Sequence, residues 1–343
     1  MTHDVREIAS DLPSPAELAA RLPRSARAAA TAERGRAALR DALHGKDPRF
    51  VAIVGPCSIH DPESALEYAR RLARLGAELG ERLILVMRTY FEKPRSALGW
   101  KGLINDPALD GSCDLAAGLE RAREILLAVN ELGVPCASEL LDPIVRHYTG
   151  DLLAWACIGA RTSESQIHRE MASGLPCPVG IKNPTSGELG PAVDALIAAR
   201  SPHRHLGVSS GGGFARVETP GNPDAHLVLR GGARGPNFDP GTVARAAESL
   251  APLALPRPVL VDCSHGNSRK DPGRQPAVLR SVLEQFGAPG TPLLGAMLES
   301  HLAGGRQDLA QGSAPAYGVS ITDACLGWDE TEALLREAAA RLV

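Results

Sequence analysis

The stretch FVAIVGPCSIHDPESALEYARRLARLGAELGERLILVMR, residues 50–88, contains the repeating unit that decides the fold. It begins with a short apolar run at 50–55 and ends with a second apolar run that starts at Leu83. The segment from Pro62 to Leu79 lies between these runs and predicts a helix, because its apolar residues recur at helical spacing. A strand, a helix and another strand in this order predict two parallel strands joined by a helical crossover.

This alternation continues to the end of the chain. Eight apolar runs predict strands, at 50–55, 83–90, 136–140, 157–160, 179–182, 226–230, 259–262 and 293–299. The predicted helices after the N-terminal part are 62–79, 118–132, 162–173, 239–250, 275–286 and 329–342. Eight repeats without an obvious reversal favour a closed (β/α)8 TIM barrel over the alternative, an open doubly wound sheet. The 343 residues suffice for a barrel of ~250 residues with an extension.

Two parts of the chain fall outside the alternation. Residues 1–48 contain two helical segments without a strand between them, so we expect an N-terminal helical extension before a barrel at 49–343. Residues 205–219, HLGVSSGGGFARVET, place two short runs around a glycine-rich turn. This pattern predicts a β-hairpin inserted before the sixth barrel strand.

Composition and charge exclude several classes of protein. Hydrophobic residues make up 44% of the chain and charged residues 22%, which indicates a large folded core. The net charge is −3 without a basic run, so we expect no binding to nucleic acid or to a membrane surface. The first 15 residues are polar, and no apolar stretch approaches the ~20 residues of a membrane span, which predicts a cytoplasmic protein. The seven cysteines lack a C-x-x-C pair, which predicts reduced thiols.

A reactive or charged residue ends, or closely follows, each predicted strand. In chain order these are Cys57, Arg88, Glu139, Arg161, Lys182, Arg230, His265 and Glu299, and Asp323 follows in a later loop. One or two polar strand ends need no functional explanation, but eight in succession do. Because functional groups of such barrels lie at the carboxyl ends of the strands, the sequence predicts an active site there.

Six of the nearby side chains are cations, which implies anionic ligands. They are Arg88, Arg161, Lys182, Arg230, Lys93 and Arg95. Arginine forks match the oxygens of phosphate and carboxylate groups, so we expect two phosphates and a carboxylate. The segment Lys93-Pro-Arg-Ser96 adds a compact binding site for a phosphate or a polyol, although an exposed basic turn would have the same composition. The chain has no P-loop and no G-x-G-x-x-G before a helix, so we expect no nucleotide or organic cofactor.

The other strand-end residues predict a metal site. Cys57, His265, Glu299 and Asp323 can all bind a metal when deprotonated, and the first and eighth strands of a closed barrel are neighbours. One thiolate, one imidazole and two carboxylates suit one divalent ion, Mn, Fe, Co or Zn. Taken alone, Cys57 would more often be a small buried hydrophobic residue.

Nine stretches of the chain carry a family resemblance. They are GPCSIHDP (55–62), MRTYFEKPR (87–95), GWKGLINDP (99–107), IGARTSESQIHRE (158–170), CPVGIKN (177–183), LRGG (229–232), DCSHGNS (262–268), ESH (299–301) and YGVSITDACLGW (317–328). Together they resemble the type I DAHP synthases, the microbial class with isoenzymes sensitive to phenylalanine, tyrosine or tryptophan. The resemblance implies condensation of phosphoenolpyruvate with erythrose 4-phosphate to 3-deoxy-D-arabino-heptulosonate 7-phosphate (DAHP) and phosphate. This is the first step of the shikimate pathway to chorismate and the aromatic amino acids.

The resemblance also implies a role for each matching residue. The metal ligands of the family match Cys57, His265, Glu299 and Asp323. The positions that hold phosphoenolpyruvate match Arg88, Lys93, Arg161, Lys182 and Arg230. The positions that hold erythrose 4-phosphate match Lys93, Pro94, Arg95 and Ser96. Lys93, His265 and Cys57 are thereby implied in catalysis.

Regulation and assembly are further implications of the resemblance. In the family, the hairpin and the N-terminal layer help to form a pocket for an aromatic amino acid, and here Pro143, His147, Pro176, His205 and Gly207 would line it. The stretches HREMASG, GNPD and SHGNS slightly favour tyrosine as the effector, whereas SSGGGF at 209–214 departs from the family pattern. The loop after LRGG has one residue more than usual. A homodimer or homotetramer is expected, with the N-terminal extension in contact with a neighbouring subunit.

Three alternatives to this function differ in substrate, pathway or activity. The 3-deoxy-octulosonate 8-phosphate synthases use arabinose 5-phosphate, but KPRS at 93–96 argues against that class. An enzyme of secondary metabolism would keep the same residues, so the pathway context stays open. A non-catalytic homologue that serves as a regulatory partner should have lost ligands or cations, and the matched positions keep them all.

Overall fold

The computed structural model describes residues 12–309 and 314–342. Its strands are β1 (Phe50–Gly55), β2 (Leu83–Arg88), β3 (Cys136–Glu139), β4 (Leu153–Ile158), β5 (Val179–Lys182), β6 (His203–Val208), β7 (Phe214–Thr219), β8 (His226–Leu229), β9 (Val259–Asp262) and β10 (Leu293–Glu299). Its α-helices are α1 (Pro15–Arg21), α2 (Ala26–Leu43), α3 (Pro62–Leu79), α4 (Leu115–Glu131), α5 (Arg146–Thr149), α6 (Gln166–Ser173), α7 (Gly190–Ala199), α8 (Pro240–Leu250), α9 (Gln275–Phe286) and α10 (Trp328–Arg341). The prediction of a cytoplasmic location rests on the polar N-terminal residues. Most of these are residues 1–11, which lie outside the described residues.

Eight of the strands close into a barrel. Their order is β1-β10-β9-β8-β5-β4-β3-β2, and every neighbouring pair is parallel. The antiparallel hairpin β6–β7 lies between β5 and β8 in the chain, and α1 and α2 precede the barrel. The predicted (β/α)8 barrel, with its helical extension and with a hairpin before the sixth barrel strand, is therefore confirmed.

The clearest differences from the sequence-based prediction concern β4, α7 and the hairpin. The fourth barrel strand is β4, whereas the sequence predicts 157–160. The first half of β4 lies in a continuous apolar run, in which periodicity cannot distinguish a strand from a helix. Helix α7 is not predicted, because its buried face is mostly alanine and gives a weak apolar stripe. The hairpin begins at His203, two residues before the predicted range.

Helix α2 closes the amino-terminal end of the barrel. Its Leu39 and Leu43 are fully buried and belong to the same apolar cluster as Trp155 in the barrel interior. Gly35 permits this close approach, because a Cβ atom there would lie 2.7 Å from the Cβ of Pro135. With that end closed, the carboxyl ends of the strands form the open mouth.

Asp224 connects α2 to the segment before β8. Its carboxylate accepts a 2.8 Å hydrogen bond from Nε of Arg40 and lies 3.0 Å from Nε2 of His44. Burial alone would raise the pKa of Asp224, but the hydrogen bonds from Arg40 and His44 outweigh burial and lower it. The negative charge of Asp224 therefore stabilises the attachment of the N-terminal extension to the barrel.

We expect Asp224→Asn to lower the free energy of unfolding at neutral pH by about 1–3 kcal/mol, because it weakens hydrogen bonds to a buried carboxylate. The folded-state pKa lies below the unfolded value of ~3.9, so the contribution is present above that pH and is lost as the pH falls through the folded-state pKa. Urea unfolding at several pH values measures the difference between the two proteins. Asp308→Asn, at an exposed carboxylate, is the control. A difference unchanged at strongly acid pH would contradict this account.

The hairpin β6–β7 contacts the N-terminal extension. The backbone N–H of Ala16 in α1 donates a 2.9 Å hydrogen bond to the carbonyl of Ser210 in the hairpin turn. At the other end of the hairpin, the hydroxyl groups of Thr219 and Ser173 lie 2.6 Å apart. None of the helices in the described part of the chain is long and apolar enough to cross a membrane.

Candidate active site

A cavity of about 310 Å³ opens at the carboxyl ends of the barrel strands. Every residue predicted to bind metal or substrate lines it: Cys57, Arg88, Lys93, Pro94, Arg95, Ser96, Arg161, Lys182, Arg230, His265, Glu299 and Asp323. Parallel strands of a closed barrel end at one rim, so the fold brings together residues as distant in sequence as Cys57 and Asp323, 266 positions apart.

Cys57, Glu299 and Asp323 form a group that can hold a metal ion. One ligand atom from each lies within 4.8 Å of the others. The ammonium group of Lys93 lies 2.8 Å from Sγ of Cys57 and 2.8 Å from Oδ2 of Asp323. These two candidate ligand atoms therefore already lie beside a positive charge. One sulfur and two carboxylate donors fit a borderline divalent ion.

His265 stands beside this group and directs one ring nitrogen towards it. Its Nε2 lies 3.6 Å from Oε1 of Glu299, and its Nδ1 lies 2.9 Å from Oδ2 of the fully buried Asp262. The hydroxyl of Ser264 lies 2.7 Å from Nδ1 and donates its own proton to Oδ1 of Asp262, so it accepts from Nδ1. Nδ1 therefore carries the proton and leaves Nε2 free to bind a metal. The backbone of His265 is left-handed, with φ 55°, which is uncommon for a residue other than glycine.

The protonation states of the three candidate ligands, Cys57, Glu299 and Asp323, differ. Burial and the neighbouring Glu299 raise the pKa of Cys57 to about 11. Burial alone would also raise the pKa of Glu299 and of Asp323, but His265 and Arg88 lower the first, and Lys93 lowers the second. At neutral pH both carboxylates are charged and the thiol keeps its proton, so binding of a metal ion at Sγ releases that proton.

Positive charge exceeds negative charge in the cavity. Seven Lys and Arg side chains line it, against four carboxyl groups. Arg88 is 1% exposed and donates a 3.1 Å hydrogen bond to Glu299, while Lys182 is 3% exposed and lies 3.0 Å from Asp262. Burial raises the pKa of Glu92 to about 8, against the backbone N–H groups of Leu141 and Asp142, which lower it. Anionic ligands would balance this excess.

The loop after β2 is fixed across one side of the mouth. The backbone N–H of Lys93 donates a 2.8 Å hydrogen bond to the carbonyl of Lys101, which closes the loop at its base. The guanidinium of Arg161, from the loop after β4, donates a 3.3 Å hydrogen bond to the hydroxyl of Ser96. Gly102 has φ 118°, and a Cβ atom there would lie 2.1 Å from the carbonyl oxygen of Phe91, so this turn requires glycine.

Residues 25–336 match the DAHP synthetase I family. The chain belongs to the DAHP synthetase I family. A "Phospho-2-dehydro-3-deoxyheptonate aldolase, Tyr-sensitive" of Escherichia coli (strain K12) is 52% identical over 303 residues, which cover 88% of this chain and 85% of the relative. The Phe-sensitive aldolase of the same strain is 48% identical over 335 residues, with coverage of 98% and 95%.

A solved structure gives the same assignment. The phospho-2-dehydro-3-deoxyheptonate aldolase of Francisella tularensis SCHU S4 superposes with a TM-score of 0.95 at 40% sequence identity, over 99% of this chain and 98% of that one. The family resemblance predicted from the sequence motifs is confirmed.

Four residues with polar side chains at this candidate site are absent from the predicted set. Tyr90, Glu92 and Lys270 line the cavity, and Asp262 lies beneath it. The ring of Tyr90 faces Arg88, with the guanidinium carbon 3.9 Å from the ring centroid. Tyr90, Glu92 and Asp262 lie within quoted motifs, and Lys270 follows the motif at 262–268 by two residues. A wider reading of those stretches would have included all four.

The five predicted effector residues lie on three neighbouring segments. Pro143 and His147 belong to the segment around α5, Pro176 precedes β5, and His205 and Gly207 are on β6. A Cβ atom at Gly174 would lie 2.6 Å from Thr219 and 3.3 Å from Arg146, which shows how closely these segments approach. Their role as an effector pocket stays a prediction.

Proposed function

We propose that this DAHP synthetase I chain is an active DAHP synthase that condenses phosphoenolpyruvate with erythrose 4-phosphate. The observation that carries the proposal is the single cavity in which a metal-binding group adjoins an excess of Lys and Arg side chains. We thereby assign to this chain the reaction for which its relatives are named. Because doubly charged sugar phosphates do not cross a bilayer unaided, we place the enzyme in the cytoplasm.

Phosphoenolpyruvate fits the deeper cations of the cavity. Arg88 and Lys182 are buried at the base, and Arg161 and Arg230 lie nearer the opening, so we assign the carboxylate and phosphate of this substrate to these four side chains. Arg88 and Lys182 are held by Glu299 and Asp262, which fixes them before the substrate arrives. Preorganised charges of this kind bind an anion without a cost for ordering the side chains.

Erythrose 4-phosphate fits the loop after β2. Arg95 and Ser96 supply a guanidinium and a hydroxyl group for its phosphate, and Pro94 stiffens the loop between them and Lys93. Its aldehyde then lies towards Lys93 and the metal-binding group. Holding both substrates in register can lower the barrier of a bimolecular step by ~7–11 kcal/mol in the best cases.

The metal-binding group fits one divalent ion, for which we propose Mn, Fe, Co or Zn. Cys57, His265, Glu299 and Asp323 would hold it. When bound, the ion supplies a Lewis acid for the aldehyde oxygen. The Asp262 carboxylate holds the His265 ring in the orientation that this requires.

Lys93 serves as a fixed hydrogen-bond donor at the reacting centre. Burial alone would lower the pKa of Lys93, but the charged carboxylates of Glu299 and Asp323 raise it, so its ammonium group keeps its protons. The enol carbon C3 attacks the aldehyde carbon, and Lys93 donates a hydrogen bond to the aldehyde oxygen as it gains negative charge. Water then adds at C2, and the tetrahedral intermediate loses phosphate by cleavage of its C2–O bond. The Glu139 carboxylate lines the cavity and helps to place that water.

Feedback inhibition by an aromatic amino acid is a further part of the proposal, with tyrosine favoured. Among the described residues, the buried Nε2 of His205 has no hydrogen-bond partner, and Nδ1 lies 3.0 Å from the carbonyl of Leu206. Nδ1 therefore carries the proton, and Nε2 can accept a hydrogen bond from a phenol hydroxyl. We also propose that residues 1–48 and the hairpin contact a neighbouring subunit in a homodimer or homotetramer.

The test is a phosphate-release assay with the Mn²⁺-loaded protein. We expect release only when phosphoenolpyruvate and erythrose 4-phosphate are both present, and none after removal of the metal with a chelator. Arabinose 5-phosphate in place of erythrose 4-phosphate should give little release, and tyrosine should inhibit more than phenylalanine or tryptophan. Release from phosphoenolpyruvate alone, or no release with metal and both substrates, would refute the proposed function.

A further inference from the structure

A second cavity of about 720 Å³ lies beside the catalytic cavity; we call it the side cavity. The two cavities share five lining residues: Ser96, Arg161, Arg230, His265 and Lys270. The remaining wall of the side cavity is formed by Thr185, Gly232, Ala233, Arg234, Gly235, Gly266 and Arg269. The two cavities therefore adjoin along Arg161 and Arg230.

The floor of the side cavity is built from tightly packed backbone. A Cβ atom at Gly232 would lie 2.3 Å from Cα of Gly187, and one at Gly266 would lie 2.5 Å from the backbone nitrogen of Gly232. These glycines come from the loops after β5, β8 and β9, which contact one another directly through main-chain atoms. The backbone that forms the floor is therefore closely packed and requires glycine at these positions.

The wall of the side cavity is cationic. Arg161, Arg230, Arg234, Arg269 and Lys270 line it, and among the described residues that form its wall there is no carboxylate. Just outside the wall, the carboxylate of Glu188 lies 2.7 Å from Arg234. A cavity with five cations and small polar or glycine neighbours suits a compact anion with several oxygens. No Phe, Tyr, Trp or large aliphatic side chain is among its lining residues in the described part of the chain.

Two loops place Arg234 and Arg269 in this wall. Arg234 stands in the turn with the extra residue, which is closed by hydrogen bonds of 2.9 and 3.0 Å between Gly232 and Gly235. Arg269 and Lys270 both have left-handed backbones, with φ 55° and 62°. Such conformations are unfavourable for residues other than glycine and often mark functional loops.

We propose that the side cavity is a second anion site, which takes the inorganic phosphate released by the reaction. This inference rests on the proposed function and extends it to product departure. In this proposal Arg161 and Arg230 hold the phosphate of phosphoenolpyruvate on one side, and they line the side cavity together with Arg234 and Arg269 on the other. After the C2–O bond breaks, the dianion passes to the side cavity and leaves without crossing the bound sugar phosphate.

The test is calorimetric titration of the full-length, Mn²⁺-loaded protein with inorganic phosphate. The protein is first saturated with phosphoenolpyruvate and with erythritol 4-phosphate, an alcohol that fills the acceptor site and cannot react. We expect one further phosphate to bind to the wild type. The Arg234→Ala/Arg269→Ala double variant should bind it about tenfold to hundredfold more weakly, because it loses charged hydrogen bonds. The matched control is Arg204→Ala/Arg216→Ala, which removes two exposed arginines from the hairpin, one of them ion-paired as Arg234 is.

Three results would overturn the proposal. They are no phosphate binding in the presence of both ligands, equal affinity in the wild type and the Arg234→Ala/Arg269→Ala variant, and an equal loss in the control variant. The proposed function fails separately, if the wild type does not release phosphate from both substrates. Titration of the free protein with phosphate still measures the side cavity in that case, since the double variant alone should lose one site.

Discussion

The Cys57→Ala variant is expected to lose metal binding and turnover while it keeps the barrel fold. Cys57 follows β1, is 1% exposed, and supplies the only sulfur of the proposed ligand set. Loss of an outer partner of a metal ligand typically weakens metal affinity by about 10–100-fold, so we expect loss of a ligand itself to exceed ~100-fold. Removal of one sulfur atom leaves only a small gap, so the free energy of unfolding without metal should change little.

Metal content after dialysis and the rate of phosphate release measure this prediction. Cys136→Ala is the matched control, because Cys136 is also fully buried but lies outside the cavity lining. The control should bind one metal ion per subunit and turn over like the wild type. Metal-dependent turnover retained by Cys57→Ala would show that Cys57 is not a ligand.

The Asp262→Ala variant is expected to be strongly destabilised and to bind metal weakly. Asp262 is fully buried and lies 3.0 Å from Nζ of Lys182 and 2.9 Å from Nδ1 of His265. Burial alone would raise the pKa of Asp262, but His265 and Lys182 lower it well below its ordinary value. Removal of one partner leaves a buried charge without compensation, which costs about 3–5 kcal/mol. The freed His265 ring should also reduce metal affinity by about 10–100-fold.

Urea unfolding and metal titration separate these two effects. In the Asp262→Ala/Lys182→Met double variant neither charge remains, so we expect much of the stability to return but no activity. Asp308→Ala, at an exposed ion pair, should change the free energy of unfolding by less than ~1 kcal/mol. An Asp262→Ala protein as stable as the wild type, with unchanged metal affinity, would contradict the role assigned to Asp262.

The barrel is predictable because its strands are apolar on both sides. Runs such as Phe50–Gly55 and Leu293–Glu299 are buried at every position, and such runs stand out against the amphipathic helices between them. Strand β4 is only partly predicted, since its first half lies in a continuous apolar run in which periodicity does not mark the start of a strand. Helix α7 is missed for a different reason, because a short alanine-rich helix shows little apolar periodicity.

The site residues that lie at strand ends can be predicted from the sequence. The position of Arg88 or Lys182 follows from the rule that strand ends meet at one rim, whereas the role of Asp262 depends on which cations it contacts inside the barrel. Sequence order cannot show that one carboxylate serves both Lys182 and His265. The effector residues are harder still, because their pocket would combine segments from outside the barrel rim with the hairpin.

The most direct test of the central claim uses phosphoenolpyruvate that carries oxygen-18 in the bridge between C2 and phosphorus. The Mn²⁺-loaded wild type is incubated with this substrate and erythrose 4-phosphate, and the oxygen-18 content of each product is measured by mass spectrometry. We predict DAHP without the label and inorganic phosphate that carries it, because the C2–O bond is cleaved. Label retained in pyruvate with no DAHP formed would show a phosphatase reaction and would contradict the proposal that this cavity joins the two substrates.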